Sequence, residues 1–331
     1  MYYSFIIPVY NRPDETDELL ASLAQQNFPD SFEVVLVEDG STIDSRSIVE
    51  KYQEQLDISY YYKSNSGPGD SRNYGMRKAK GDYFIILDSD CIIPANYLCI
   101  VDQYLQEKYV DCFGGPDRAL ASFTDVQKAI NFAMTSFLTT GGIRGGSERW
   151  SKFQPRSFNM GISKQAFLAS GGFGKIHPGE DPDLTIRLWN LGFHSELFPK
   201  AYVYHKRRID WKKFFVQVNK FGKARPILNQ RYPAYAKMTY WFPSLFIGGL
   251  ILSLLFLLVG FYPLICLYLL YFFFVFVISL KKEKSFKVSV LSICAVFVQF
   301  YGYGTGFVKS NYILHITKRK PQDGMPEMFF K

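Results

Sequence analysis

Two uncharged apolar stretches, 244–260 and 264–280, separated only by Phe261, Tyr262 and Pro263, restrict this chain more than any other feature of it. Each holds 17 residues, roughly 26 Å as a helix, enough for a thin bilayer crossing. So short a connection leaves room only for a hairpin. Lys281, Lys282, Glu283 and Lys284 then return the chain to the positive, cytoplasmic side. A third apolar run, 286–308, carries Gly302, Gly304 and Gly306 toward its end. If it crosses, Lys318, Arg319 and Lys320 fall outside, against the positive-inside tendency. Two crossings are expected, and the third run stands between a span and an interfacial or re-entrant helix.

The chain's net charge of +8 is gathered just ahead of these runs. Between His205 and Lys237 stand ten Lys or Arg against one acid, Asp210, so this segment alone carries +9. A basic block abutting an apolar run suits anionic lipid headgroups or an anionic lipid-linked substrate rather than nucleic acid. Within it Trp211, Phe214, Phe215, Val218 and Phe221 recur against Lys212, Lys213 and Lys220 at helical spacing. That predicts an amphipathic helix in the bilayer interface, the alternative being a helix packed on the soluble domain. Five scattered cysteines without ligand spacing fit a reducing cytoplasm. Residues 2–9 have neither a basic start nor a cleavage site, so the amino-terminal domain is expected to stay where it was made.

The polar two thirds alternate between strand-like and helix-like patterns. An apolar run at 4–10, interrupted by Pro8, meets the turn Asn11-Arg12-Pro13-Asp14, and Leu19, Leu20 and Leu23 then share a helix face. A second strand at 32–37 ends in Glu38-Asp39-Gly40-Ser41, followed by a helix at 43–55 and a strand at 58–62. This βαβαβ order predicts a mostly parallel sheet. The Gly-rich stretch 65–75 opens a helix reaching about Lys80; its free N–H groups and Arg72 favour an anion. A buried strand at 83–86 runs into Leu87-Asp88-Ser89-Asp90, at the sheet edge where open α/β folds bind ligands. Like charges this close call for a cation, most simply a divalent metal; the alternative is a solvated turn.

Farther on, 112–118 reads as a short strand and turn, and the Gly-rich, basic stretch 139–156 as a mobile lid or acceptor loop, the alternative being an unremarkable disordered loop. A strand-like segment at 157–161 and a helix at 164–169 follow. Gly179-Glu180-Asp181-Pro182-Asp183-Leu184 opens another helix, on which Asp183 and Arg187, one turn apart, suit a structural pair. His205 follows the strand-like segment 201–204.

Taken in order, Pro8-Val9-Tyr10-Asn11-Arg12, Glu38-Asp39-Gly40-Ser41, Gly67-Pro68-Gly69 with Arg72-Asn73, and Leu87-Asp88-Ser89-Asp90 resemble the successive signatures of family 2 glycosyltransferases with the GT-A fold. The resemblance covers about the first two hundred residues. It implies a nucleotide sugar, often uridine-linked, across the carboxyl edge of the sheet. Pro8 and Tyr10 would flank the base, Asp39 would accept from it, and Asn11, Arg12, Gly67 and Arg72 would line the same donor site. Asp88 would face the ribose or a metal-bound water. Asp90 would hold the Mn2+ or Mg2+ that bridges the two phosphates, with His205 completing that metal site. Asp181 would be the general base and Glu180 would orient acceptor or base. Direct displacement inverts the anomeric centre and needs no covalent nucleophile. Gln217-Val218-Asn219-Lys220-Phe221 is only a degenerate echo of the Gln-x-x-Arg-Trp motif of processive polysaccharide synthases, which argues against that alternative.

The expectation is an α/β GT-A catalytic domain at 1–204 in the cytoplasm, a basic amphipathic interface segment at 205–241, membrane helices at 242–310 and a basic tail at 311–331. Such a chain would be a multi-pass protein of a bacterial inner membrane. It would be an inverting, metal-dependent glycosyltransferase adding one sugar to a lipid-linked glycan in cell-surface polysaccharide synthesis. A non-catalytic nucleotide-sugar-binding scaffold is the other alternative; it would have no use for a base at Asp181.

Overall fold

The computed structural model describes residues 1–118, 123–140, 153–206 and 210–330. They fall into two compact units. The first comprises Met1–Arg118, Gly146–Lys206 and Phe330–Lys331, the second Ala119–Gly145 and Arg207–Phe329.

In chain order the first unit opens with β1 (Tyr3–Val9), α1 (Pro13–Ala24), β2 (Glu33–Asp39), α2 (Arg46–Glu50), β3 (Asp57–Lys63) and α3 (Pro68–Lys78). It continues with β4 (Tyr83–Leu87), β5 (Cys91–Ile92), α4 (Tyr97–Glu107), β6 (Cys112–Gly114) and β7 (Asp117–Arg118). The second unit contributes α5 (Asp125–Thr135) and α6 (Phe137–Thr140) before the chain returns to the first with β8 (Asn159–Ser163), α7 (Lys164–Ser170), α8 (Glu180–Asn190), β9 (Ser195–Leu197) and β10 (Val203–His205).

Seven strands form one sheet in the order β3-β2-β1-β4-β8-β6-β9. β1, β2 and β4 are interior strands and are buried along nearly their whole length, which is why they read as continuous apolar runs. β3, β2, β1 and β4 run parallel, as the alternation predicts, whereas β8 runs antiparallel to both neighbours. Leu19, Leu20, Val49, Leu98 and Val101 cover one face; Met76, Phe167, Leu184 and Leu188 cover the other. Parallel pairing brings the carboxyl ends of β1, β2 and β4 to one edge, so 10–12, 39–41 and 88–90 emerge together. A second, three-stranded sheet, β5-β10-β7, lies just beyond. Its register pairs His205 with Cys91, and that carries the histidine to the Asp-Ser-Asp turn.

The expected helix at 43–55 shrinks to α2, five residues long. Asn11 and Glu38 are the reason for its late start. Asn11 Oδ1 accepts from the backbone of Thr42 at 2.8 Å and Ile43 at 3.0 Å, and Glu38 Oε2 accepts from Ser45 N at 3.0 Å. Residues 42–45 are thereby tied down as a turn, and a helix can begin only after them. The strand expected at 157–161 sits two residues later, as β8.

In the second unit follow α9 (Trp211–Arg231), α10 (Phe242–Leu258), α11 (Pro263–Glu283) and α12 (Phe286–Asn311). Stretches Met238–Leu258, Pro263–Glu283 and Phe286–Ile316 are each long and apolar enough to cross a membrane, by length and composition. The runs 264–280 and 286–308 read from the sequence fall inside them, and 244–260 overruns the first by two residues. α10 and α11 form the hairpin that their short connection requires. Phe214 and Val218, on the apolar stripe expected to face lipid, are buried and share a core with Phe246, Val296 and Phe300. That stripe has a protein partner, α12: a Cβ on Gly222 would collide with the Tyr303 backbone, one on Gly302 with Val218, and one on Gly306 with the Asn219 backbone. Asn219 Nδ2 reinforces the seam by donating to Gly302 O at 3.0 Å.

The lid or acceptor loop expected at 139–156 falls largely on 141–152, outside the described residues.

Candidate active site

The Asp-Ser-Asp turn stands where β4 leaves the sheet. Both of its carboxylates are met by arginines. Arg72 Nη2, from the first turns of α3, lies 2.7 Å from Asp88 Oδ1, and Arg12 Nη1, following β1, lies 2.5 Å from Asp90 Oδ2. The like charges that suggested a metal are therefore already compensated by the protein, so charge pairing alone does not demand one.

Arg72 does more than compensate. It is 3% exposed, and its Nη1 also reaches Glu180 Oε1 at 3.2 Å. One guanidinium thus joins the end of β4 to the start of α8. Burial works against its charge, but Asp88 and then Glu180 outweigh burial and raise its pKa. Lysine has one ammonium nitrogen in place of this planar fork, in which each carboxylate takes its own Nη. Arg72→Lys is expected to lower the thermal midpoint and weaken nucleotide binding together, because one buried carboxylate is left without its partner. Calorimetry and a nucleotide titration would check this; both unchanged would show the bridge to be dispensable.

On the neighbouring strand, Asp39 receives Lys63 Nζ at 2.7 Å and Ser66 N at 2.9 Å on Oδ1, and Gly67 N at 2.9 Å and Asn65 Nδ2 at 3.3 Å on Oδ2. Four donors occupy the roughly four lone-pair sites of a carboxylate. A base N–H could be read here only by displacing one, and the longest contact, Asn65, is the weakest held. These bonds also fold back the turn at Gly67, whose φ of +94° suits glycine and which precedes the first helical residue, Pro68. Tyr10 is exposed and Pro8 half-buried, so the lip of this edge presents an aromatic and an apolar surface. Asn11 is spent on clasping 42–43 and has φ of +52°, so it shapes the edge.

Asp90, Cys91 and His205 each point one potential ligand atom into a space less than 4.8 Å across. His205 Nε2 is 3.1 Å from Asp90 Oδ1, the imidazole stacks on Phe158 with centroids 4.8 Å apart, and Asp117 Oδ2 lies 3.9 Å from Nδ1. Burial first, then Asp90 and Asp88, push the Cys91 thiol well above its ordinary range. Its Sγ donates to Phe158 O at 3.4 Å, and sulfur is a softer ligand than Mn2+ or Mg2+ favours. Asp90 and His205 are the pair that fits a cation, and a carboxylate with an imidazole suits Mn2+, or Mg2+ with more water. Asp88 lies outside this cluster.

Glu180 and Asp181 open α8, where acids suit the helix dipole. Glu180 is buried between Arg72 and His177, whose Nδ1 is 3.0 Å from Oε1. Burial opposes its ionisation, but His177 and then Arg72 prevail and hold it below the usual carboxylate range. Asp181 behaves oppositely: burial, then the Glu180 charge, raise its pKa against the lowering pull of Arg156, Arg72 and Ser157. Its Oδ1 has no hydrogen-bond partner among the described residues. The two adjacent acids are thus driven apart, one fixed as an anion and the other poised to take a proton. Asp183 and Arg187 form the helix pair, 3.2 Å apart.

The structure brings Arg12, Asp90 and His205 into one ion-pair network and Arg72, Asp88 and Glu180 into another, with Asp181 next to Glu180 at the start of α8. Lys63, Asp117 and His177 were missed by sequence reasoning. His177 had one available signal, its place one turn ahead of the Glu-Asp pair; Lys63 and Asp117 become visible only through strand register.

A glycosyl transferase family 2 profile matches residues 4–170, and a glycosyl transferase family group 2 profile matches 155–279. Among curated proteins, the poly(ribitol-phosphate) beta-N-acetylglucosaminyltransferase TarS of Staphylococcus aureus is 39% identical over 114 residues, covering 34% of this chain and only 20% of TarS. The probable glycosyltransferase YdaM of Bacillus subtilis is 24% identical over 92% of this chain and 80% of its own length. Among solved structures, TarS residues 1–349 in complex with UDP-GlcNAc is similar at a TM-score of 0.50 and 19% identity, covering 95% of this chain and 92% of that one. The mannosyltransferase PcManGT of Pyrobaculum calidifontis, in complex with GDP-Man and Mn2+, is similar at a TM-score of 0.56 and 17% identity, covering 69% and 64%. At these identities the structural likeness speaks for the fold.

Proposed function

Because the chain belongs to glycosyl transferase family 2, we propose that it transfers one sugar, with inversion, from a uridine-linked nucleotide sugar to a hydroxyl of a lipid-linked glycan. It is a glycosyltransferase with the GT-A sheet expected from its sequence, followed by three helices apolar enough to cross a membrane. The observation that carries the finer reading is the Arg72 bridge. It ties Asp88, at the edge expected to receive the donor, to Glu180, beside the expected base.

In this reading Asp181 takes the proton of the acceptor hydroxyl, whose oxygen forms the new bond to the anomeric carbon while the bond to the diphosphate breaks. Glu180, kept ionised by His177 and Arg72, raises the basicity of Asp181. Pro8 and Tyr10 flank the base, and Asp39 with the turn at Gly67 shapes its pocket. Asp88 addresses the ribose. Asp90 and His205 would hold Mn2+ or Mg2+, which when bound supplies charge stabilisation to the departing diphosphate. Arg12 fixes Asp90 from its other oxygen, at 2.5 Å.

The uridine choice leans on TarS, described above with UDP-GlcNAc, and the metal on PcManGT, described with Mn2+. A lipid-linked acceptor and a bacterial inner-membrane location with a cytoplasmic catalytic unit are supported by the apolar helices and the basic residues beside them. The test is a panel of UDP- and GDP-sugars with Mn2+ or Mg2+ and membrane-extracted glycolipids, with nucleotide release as readout. Release from a UDP-sugar that depends on added glycolipid is expected. No release from any donor would sink the proposal, and release from GDP-sugars alone would overturn the uridine assignment.

A further inference from the structure

Phe330 belongs to the first unit, although more than a hundred positions separate it from the rest of that unit in sequence. Three contacts hold it there. Its backbone N–H donates to Lys175 O at 3.1 Å. Its ring lies 5.4 Å, centroid to centroid, from the His177 imidazole. The same ring fills the space that a Cβ on Gly67 would take, and any larger residue there would collide with it.

The two surfaces that the ring touches belong to different parts of the site. Gly67 donates its N–H to Asp39 at 2.9 Å and opens α3, which carries Arg72. His177 holds Glu180 at 3.0 Å, and Glu180 takes the other end of the Arg72 bridge. A single aromatic side chain therefore packs on the donor turn and on the histidine that fixes the acid beside the base. The turn is a glycine with φ of +94°, and its bare face is the one the ring occupies.

We propose that Phe330 is a positioning residue of the transferase: its ring walls the donor turn at Gly67 and keeps His177 on Glu180. The inference rests on the donor reading of this edge. The ring makes no bond to substrate. It limits the conformations open to a glycine turn and an imidazole that would otherwise face water, so its removal should be felt first in donor affinity.

The experiment uses the full chain in detergent or nanodiscs, with Phe330→Ala, Phe330→Tyr and Phe330→Leu beside the wild type. UDP and GDP binding and donor kinetics are measured on each. Phe330→Ala is expected to raise the donor KM about tenfold, the scale of one lost aromatic packing contact, with kcat within about threefold. Its thermal midpoint should stay near that of the wild type. Phe330→Tyr should restore the KM and Phe330→Leu should not, a separation that a general loss of packing would not produce. Unchanged KM in Phe330→Ala, with a wild type that binds nucleotide, overturns the inference and leaves the donor reading standing. A lower KM or faster turnover also overturns it, because the ring would then be an obstruction. A wild type that takes up neither UDP nor GDP sinks the donor reading, and the inference with it.

Discussion

Asp181→Asn should bind UDP within about a factor of two of the wild type and transfer sugar about 10²- to 10⁴-fold more slowly, the usual worth of a positioned general base. The substitution keeps shape and hydrogen-bonding size and removes only the capacity to take a proton. The reason to choose this acid over its neighbour lies in their opposed environments. Glu180 is held as an anion by His177 and Arg72, whereas burial and the Glu180 charge raise Asp181. A base must be ionised, so turnover should fall as pH drops through the raised Asp181 value, above the range of an ordinary aspartate. That acid limb should be missing from the residual activity of the Asn variant. Stability gives an independent check. A raised carboxyl pKa means that the folded state favours the protonated form, so ionisation costs stability as pH rises through that value. Asn removes the cost, and the thermal midpoint at neutral pH should be no lower than that of the wild type. Unchanged turnover in the Asn variant would remove Asp181 as the base.

Chelation should be equally decisive. With EDTA, nucleotide release is expected to stop, and excess Mn2+ should restore it. Asp90→Asn should lose that rescue, because the amide is a weak ligand and sits opposite Arg12 and His205, which prefer an anion. Mn2+ binding, followed by electron paramagnetic resonance, separates a lost ion from a lost reaction. Full activity in EDTA, or Mn2+ bound as tightly by Asp90→Asn as by the wild type, would overturn the assignment of Asp90 and His205. The two arginine pairs are the reason this outcome is open to test: they neutralise Asp88 and Asp90 without an ion, so the turn can fold empty.

The sheet was legible because its central strands are buried on both faces and carry no alternation to confuse with a helix. The order of the polar turns was legible because parallel strands send every such turn to one edge. Pairings across that edge were not. Arg12 and Asp90 are 78 positions apart, and Arg72 and Glu180 108; no periodicity links them. The start of helix 43–55 was placed too early because the residues that delay it, Asn11 and Glu38, act from elsewhere in the fold. The stripe of α9 shows the complementary limit. Helical spacing reveals that a face is apolar and is silent on whether lipid or protein covers it.

That covered face bears on how α12 can be placed in a membrane. Glycines at 222 and 306 bring each helix of the α9–α12 pair against the other's backbone, and Gly302 makes room for Val218, so the two helices are closely seated. α9 carries Lys212, Lys213, Lys220, Lys223, Arg225 and Arg231. Drawing α12 to mid-bilayer would drag these along, at about 2.5–3.5 kcal/mol for each lysine or arginine reaching the centre. In a bilayer, the depth of this apolar segment would therefore be set less by its own hydropathy than by the hydration of the cations on its neighbour.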